Sequence, residues 1–342
     1  MLALKCTELA DKVRAAFVGC GGIADAHAKG ITTFQDVQLV GFYDDVPDAA
    51  KSLSQKYGGV TVYTDIESMF NEAKPDVVFY YLPPFAHGPE IEAAKRAVPF
   101  FVEKPVVLDL DLGKKILAEV DKHDLLTGAG YMNRYRRSVN YAREAFKADP
   151  PSLILGGWIG GTPLRDWWWI RREQSGTQMH EQVTHTVDQA RYFAGEVETI
   201  QAFAAKGFNK GVSPSYNIDD AAVLNVKFKS GAVANIYSSC SSNSAGGVFM
   251  NVYAYDTAAV FEKWEQNLTL YKERGAVKVT INGEPDIFKL EDRAFIDAVK
   301  SGDRSIIKSN YADALKTAAV TIAALNSLET GQPVNVEKFA GL

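Results

Sequence analysis

Cysteine is scarce in this chain, and several other features that would mark a specialised class are missing. Cys6, Cys20 and Cys240 are the three cysteines in 342 residues, an odd number with no C-x-x-C spacing. Such usage supports neither a disulfide framework nor a zinc site and fits a reducing compartment, so a cytoplasmic protein is expected. No stretch approaches the roughly 20 apolar residues of a membrane helix. The opening segment MLALKCTELADKVR is polar, without the apolar run and small-residue cleavage site of a secretory signal. Basic charge is not concentrated either. Lys and Arg number 37 against 42 Asp and Glu, a net charge of −5, which offers no footprint for nucleic acid or an anionic membrane. Repeats and low-complexity linkers are also missing.

What remains is the balance of a globular protein, 46% hydrophobic and 23% charged. Its length exceeds the roughly 250–300 residues at which single cores stop growing, so two domains are expected. The first third alternates β-rich runs at 15–19, 37–43, 77–81, 99–103 and 125–131 with helix-length stretches at 23–33, 47–57, 89–97 and 110–123. Continuous apolar strands separated by helices indicate a doubly wound parallel sheet joined by right-handed crossovers. Beyond about residue 150 the pattern changes. A long helix is expected at 177–193, followed by alternating runs at 222–228, 232–237 and 248–254 with the turn Lys229-Ser230-Gly231. Period-two alternation predicts an open, mainly antiparallel sheet with one covered face. Helices near 291–300 and 312–328 close the chain. The boundary is expected between residues 131 and 151, where Asp149-Pro150-Pro151 stops a helix.

After the first β-run comes Gly19-Cys20-Gly21-Gly22-Ile23-Ala24, a G-x-G-x-x-A. The first glycine permits a tight turn, the second lets backbone amides approach a pyrophosphate, and the small Ala24 lets helix and strand pack closely. Alone the string is weak, but a β-run precedes it, a helix follows, and the second β-run ends in Asp44-Asp45. An acidic residue there reaches the ribose hydroxyls and repels a 2′-phosphate, so NAD is expected rather than NADP.

Two strings fall at the carboxyl ends of later strands, where ligands of such sheets bind. One is Leu82-Pro83-Pro84-Phe85-Ala86-His87 and the other is Glu103-Lys104-Pro105. The third string of interest, His180-Glu181-Gln182-Val183-Thr184-His185-Thr186-Val187-Asp188, lies in the long helix, with Glu181 and His185 spaced to share a face. Oxidising an alcohol requires a proton acceptor with a pKa near working pH, which suits His185, and a donor to the reacting oxygen, which suits Lys104. A carboxylate one turn away could orient the imidazole. Taken singly, each has a bland reading: His-x-x-Asp as a solvated helix pair, Lys104 as a surface lysine, His87 as a loop brace. The spacing of His180, Glu181 and His185 differs from H-E-x-x-H and lacks a third ligand, so no metal is expected.

Together these strings make the chain resemble the glucose–fructose oxidoreductase, inositol dehydrogenase and rhizopine-catabolism (Gfo/Idh/MocA) family. The resemblance rests on GCGGIADAH at 19–27, FYDD at 42–45, LPPFAH at 82–87, FVEKP at 101–105, GYMNRYRR at 130–137 and SGTQMHEQVTHTVDQARYFAG at 175–195. It implies an α/β fold, with an N-terminal Rossmann domain (1–135) and a substrate-binding and oligomerisation domain (136–342). The C-terminal helices can pack back on the first domain. It further implies hydride transfer at a carbon of a sugar, inositol or derivative, with Lys104, Glu181 and His185 around the reacting hydroxyl, and a homodimer or homotetramer. The family usually has aspartate where Glu181 stands. The cofactor set is Gly19, Gly21, Gly22, Ile23, Ala24, Asp44, Asp45, Leu82, Pro83, Pro84, His87, Glu103 and Lys104. The segment from Trp158 to Arg172 holds Arg165, Trp167, Trp168, Trp169 and Arg171 as well, either core and solvated face or a substrate wall. On the second reading Arg165, Trp168 and Arg172 meet substrate, Asn133, Arg134 and Tyr135 face them, and an anionic sugar acid is admissible. An NAD-dependent glycoside hydrolase of the same fold and a non-catalytic ligand sensor are the alternatives.

Overall fold

The computed structural model describes residues 12–342; Cys6 and the opening segment through residue 11 lie outside the described residues. Five strands form a parallel sheet: β1 (Val13–Val18), β2 (Val37–Tyr43), β3 (Val77–Tyr80), β4 (Phe100–Val102) and β5 (Thr127–Ala129), in the order β2-β1-β3-β4-β5. A single parallel bridge between Phe42 and Val62 adds a rudimentary sixth strand outside β2. Counted in, the sheet has the 3-2-1-4-5-6 order of dinucleotide-binding folds. β1, β3, β4 and β5 are almost wholly apolar because helices cover both faces.

Nine strands form the second sheet: β6 (Leu153–Ile159), β7 (Val197–Ala205), β8 (Ala221–Phe228), β9 (Val233–Ser239), β10 (Gly247–Tyr253), β11 (Ala258–Glu262), β12 (Asn267–Lys272), β13 (Val277–Ile281) and β14 (Val334–Asn335). Their order is β13-β12-β11-β10-β6-β9-β8-β7-β14, and every pairing is antiparallel except β6 with β9. In β8 buried and exposed residues alternate strictly, as expected of a sheet covered on one face.

The C-terminal helices join the two sheets. Phe295 and Ile296, from the helix Ile287–Ser301, pack in the core on one face of the parallel sheet. The helix Tyr311–Thr330 sends Tyr311, Ala314, Leu315 and Ala318 into the core on the opposite face. One turn later its Ala319, Val320, Ala323 and Ala324 enter the core of the nine-stranded sheet. At 20 residues it is about 30 Å long, enough to reach both.

Candidate active site

β1 delivers the chain into a turn that only glycine can make. Gly19 has φ 90°, and a Cβ there would stand 2.4 Å from the Tyr81 carbonyl oxygen. Gly21 caps the helix Gly22–Ile31 without a side chain, and a Cβ at Gly21 or Gly22 would meet nothing within 4 Å. Open space thus lies before a helix N-terminus whose free amides and dipole suit a pyrophosphate. Ala24 is fully buried beneath the turn. Asp44 ties the turn to β2, accepting from the Cys20 amide and from the Val46 amide, each at 2.7 Å. A carboxylate has room for about four hydrogen bonds, so acceptor capacity remains for ribose hydroxyls. Asp45 accepts from the Tyr43 hydroxyl at 2.6 Å. Burial and the Asp44 charge push the Cys20 thiol up to about 12, which makes it inert. These residues fit NAD. At the end of β3, Leu82 and Pro83 are half-buried and Pro84 buried. His87 braces this loop through Nδ1, 2.5 Å from Glu90, while its Nε2 is buried without a partner.

Lys104 follows β4 at the same sheet edge. Its Nζ donates to Glu181 Oε1 at 2.8 Å and to the Glu181 carbonyl at 3.0 Å. The other Glu181 oxygen accepts from the Trp169 indole at 2.7 Å. Lys104 and Glu181 keep 13% and 14% of their side chains exposed, so the pair is not sealed from solvent. An ammonium has three N–H groups, and one on Lys104 has no acceptor among the described residues. Glu181 ends the short helix Thr177–Glu181, which starts from a constrained turn. Gly176 and Thr177 are both left-handed, at φ 69° and 76°. For a β-branched threonine that conformation costs on the order of 1–3 kcal/mol, a strain common beside functional sites.

The helix expected over 177–193 is in fact two, Thr177–Glu181 and Thr184–Ala194. The Val183 amide bonds to the Gln178 carbonyl five residues back, and the Thr186 amide to that of Val183 only three back, so the regular register is lost between them. Glu181 and His185 therefore do not share one continuous helix face, contrary to the spacing argument. The break sets His185 between the rings of Tyr131 and Trp264, nearly perpendicular to both at 6.3 and 6.2 Å. Neither imidazole nitrogen has a hydrogen-bond partner among the described residues, and Nδ1 is buried. Burial, then the charges of Lys104 and Arg136, push its pKa well below the usual value, so the ring is neutral.

Among the described residues no carboxylate orients that ring. Asp188 instead accepts from Arg134 with both oxygens, at 2.6 and 2.8 Å, and from the Thr317 hydroxyl. Arg134, expected to face the substrate wall, is thus part of a buried ionic knot with Asp188, Arg191 and Asp313. The other proposed substrate contacts on this segment are also committed. Asn133 bonds Gln189 and Arg136, and the Tyr135 hydroxyl accepts from the Lys308 amide. Arg172 pairs with Asp219 and Glu329, and Arg171 with Asp166. Arg165 is exposed over the Trp167 ring. Trp168 is half-buried beside the exposed Phe85 of the cofactor loop, 6.3 Å between ring centres.

Beneath Lys104 lies a buried polar cluster that sequence reading missed. Glu103 accepts from the Lys104 amide and meets His27 Nε2 at 3.2 Å; His27 Nδ1 is 2.8 Å from Asp292. Burial opposes charge on His27, but Asp292 and Glu103 outweigh it and raise its pKa well above the imidazole range. Burial, with the Glu103 charge, pushes Glu291 well above the carboxylate range, which favours its neutral acid. A charged His27 between Glu103 and Asp292, with Glu291 protonated, cuts the buried charge from three negative units to about one. Gly130 makes the room: a Cβ there would lie 2.3 Å from the Glu103 carboxylate. Trp264 was missed as well. Its only sequence signal is a tryptophan in the polar hairpin turn Lys263-Trp264-Glu265-Gln266.

Sheet order, glycine turn and strand-end lysine together define an NAD-binding oxidoreductase of Rossmann type. Residues 13–131 match the oxidoreductase family with NAD-binding Rossmann fold, and residues 156–275 match the GFO/IDH/MocA C-terminal domain. The chain belongs to the GFO/IDH/MocA oxidoreductase family, and its cofactor is NAD. Myo-inositol 2-dehydrogenase of Thermotoga maritima is 24% identical across 96% of this chain and 100% of its own. For scyllo-inositol 2-dehydrogenase (NAD(+)) of Bacillus subtilis the figures are 25%, 95% and 97%. Among solved structures, a levoglucosan dehydrogenase in complex with NADH and L-sorbose superposes with TM-score 0.84 at 15% identity, covering 96% of this chain and 99% of that one. Among the described residues no helix is long and apolar enough to cross a membrane.

Proposed function

We propose that this chain is an NAD-dependent dehydrogenase, or reductase in the opposite direction, acting on a secondary hydroxyl or keto carbon of a sugar, inositol or sugar derivative. The observation that carries the reading is the Lys104–Glu181 pair beside a neutral His185, at the sheet edge where the nucleotide turn opens. His185, uncharged at neutral pH, accepts the hydroxyl proton. The free N–H of Lys104 donates to the substrate oxygen and stabilises its negative charge as the carbon becomes a carbonyl. Glu181, held by Trp169, fixes the ammonium in place. Bound NAD supplies the hydride acceptor. Gly19, Gly21, Gly22, Ile23, Ala24, Asp44 and Asp45 hold its pyrophosphate and ribose, and the 82–87 loop with Glu103 flanks the reacting end.

We take residues 1–135 as the cofactor domain and 136–342 as the substrate and oligomerisation domain, in a cytoplasmic protein. The outer face of the nine-stranded sheet carries Phe203, Val223, Tyr237 and Phe249 in one cross-strand row, with Phe203, Val223 and Phe249 exposed. Such a row is covered by a second copy of the chain, which the solution mass tests.

The functional test is a screen of NAD⁺ and NADP⁺ reduction against sugars, inositols, sugar acids and 1,5-anhydro sugars, followed by reduced-nicotinamide absorbance. Turnover with NAD⁺ is expected. A preference for NADP⁺ would overturn the role of Asp44. Silence with release of free sugar from an aryl glycoside would point to the hydrolase, and silence without cofactor binding to the sensor.

A further inference from the structure

Trp264 stands where no sequence motif points. The β11–β12 turn that carries it is held unusually firmly. Lys263 and Gln266 are both left-handed, at φ 65° and 57°. The fully buried Arg136 donates to the Trp264 carbonyl at 3.0 Å, and the Gln266 amide side chain donates to the Lys263 carbonyl at 3.2 Å. Gln189, one turn beyond His185 on the same helix, donates to Gln266 at 3.2 Å. The helix that carries the proton acceptor thus also anchors this turn. At its tip the indole is half-buried, set edge-to-face with His185 and with Trp158 at 6.2 and 5.7 Å. Its N–H has no hydrogen-bond partner among the described residues.

A rigid indole corner beside the proton acceptor offers an apolar, electron-rich face, which suits the polarised C–H face of a saturated ring. The charges nearby exclude another partner. A carboxylate on the substrate would need a free, fixed cation to offset its desolvation. Lys104 is neutralised by Glu181, Arg136 is wholly buried with its donors turned to Asn133 and two carbonyls, and Arg171 and Arg172 are paired with carboxylates. Arg165 alone of that segment's arginines has no carboxylate partner among the described residues, and it is exposed.

We infer that Trp264 is a specificity-determining wall of the substrate site and that it selects an uncharged polyhydroxylated ring over the corresponding sugar acid. This rests on the dehydrogenase reading for its location but is tested separately from it. Two measurements are made on wild type, Trp264→Leu and Trp264→Phe: steady-state kinetics with NAD⁺, and calorimetric titration of the NADH complex. The probes are myo-inositol, D-glucose and D-glucuronate.

Wild type is expected to favour the neutral rings at least about tenfold in kcat/KM or Kd, as one fixed, unpaired cation would reverse. Trp264→Leu should raise KM and Kd for the neutral rings about tenfold with NADH affinity unchanged, and Trp264→Phe should recover most of the loss. A preference for glucuronate, or neutral-ring affinity unaltered in Trp264→Leu, overturns the inference. If no probe exchanges hydride, the dehydrogenase reading fails while calorimetry still decides this one. Failure of every probe to bind overturns it too.

Discussion

Two cation–carboxylate pairs each tie a strand end of the parallel sheet to one of the two helices at 177–194, and they do opposite things. Lys104–Glu181 links the end of β4 to the helix Thr177–Glu181, and Arg134–Asp188 links the segment after β5 to the helix Thr184–Ala194. In the second pair every group is committed. Arg134 also donates to the Lys308 carbonyl, Asp188 also accepts from Thr317, and side-chain exposures are 6% and 1%. In the first pair one lysine N–H has no acceptor among the described residues, the pair is partly open, and a neutral imidazole stands nearby. Saturation makes a pair structural, whereas an unsatisfied donor within reach of solvent leaves chemistry for a ligand.

That contrast predicts separable losses. Lys104→Met should lower kcat by about 10²–10⁴-fold, the range for removing a positioned proton or oxyanion partner. Its unfolding midpoint should fall only modestly, because Glu181 keeps the Trp169 indole as a donor and part of its side chain open to water. Wild-type turnover in this variant would remove Lys104 from the chemistry. Asp188→Ala should do the reverse, destabilising by about 3–5 kcal/mol because it leaves buried arginine charge uncompensated. Urea unfolding measures this, and an unchanged midpoint would show that Asp313 and Glu196 suffice for the arginines.

A smaller, pH-dependent effect separates the two buried histidines of the substrate helices from ordinary ones. Burial lowers the His180 pKa to about 4, with its Nδ1 2.8 Å from the Thr321 hydroxyl. The folded protein holds it neutral while the unfolded chain takes up a proton below the usual imidazole pKa of about 6.5. Stability is therefore complete above pH ~6.5 and falls as pH drops to about 4, by about 3 kcal/mol in all at ~1.4 kcal/mol per pH unit. His180→Gln should flatten that slope in unfolding midpoints taken across the window. A slope identical to wild type would assign acid sensitivity to carboxylates alone.

Much of the fold and of the candidate site is legible in the order of residues alone. GCGGIA with Asp44-Asp45, the strings at 82–87 and 103–105, and the switch from 3.6-residue to two-residue periodicity all depend on neighbours in sequence. Backbone demand at Gly19 and strand-end placement of Lys104 are local consequences of residue type, and the structure agrees with them. The break in the long helix is not legible in sequence, because apolar spacing runs straight through Gln182 and Val183 and only the carbonyl each amide finds reveals it.

What the amino-acid order determined by itself was the pair of sheets, the nucleotide turn and the residue types able to move a proton. Only tertiary structure decided which of them are free to act. Asp188 could have oriented His185 until Arg134 and Thr317 occupied it, and Arg172 could have met substrate until Asp219 and Glu329 did. Trp264 came to lie beside His185 because Gln189 and Arg136, far away along the chain, pin its turn there. The physical reason is that hydrogen-bond saturation and burial belong to the assembled neighbourhood, and no window of sequence contains it.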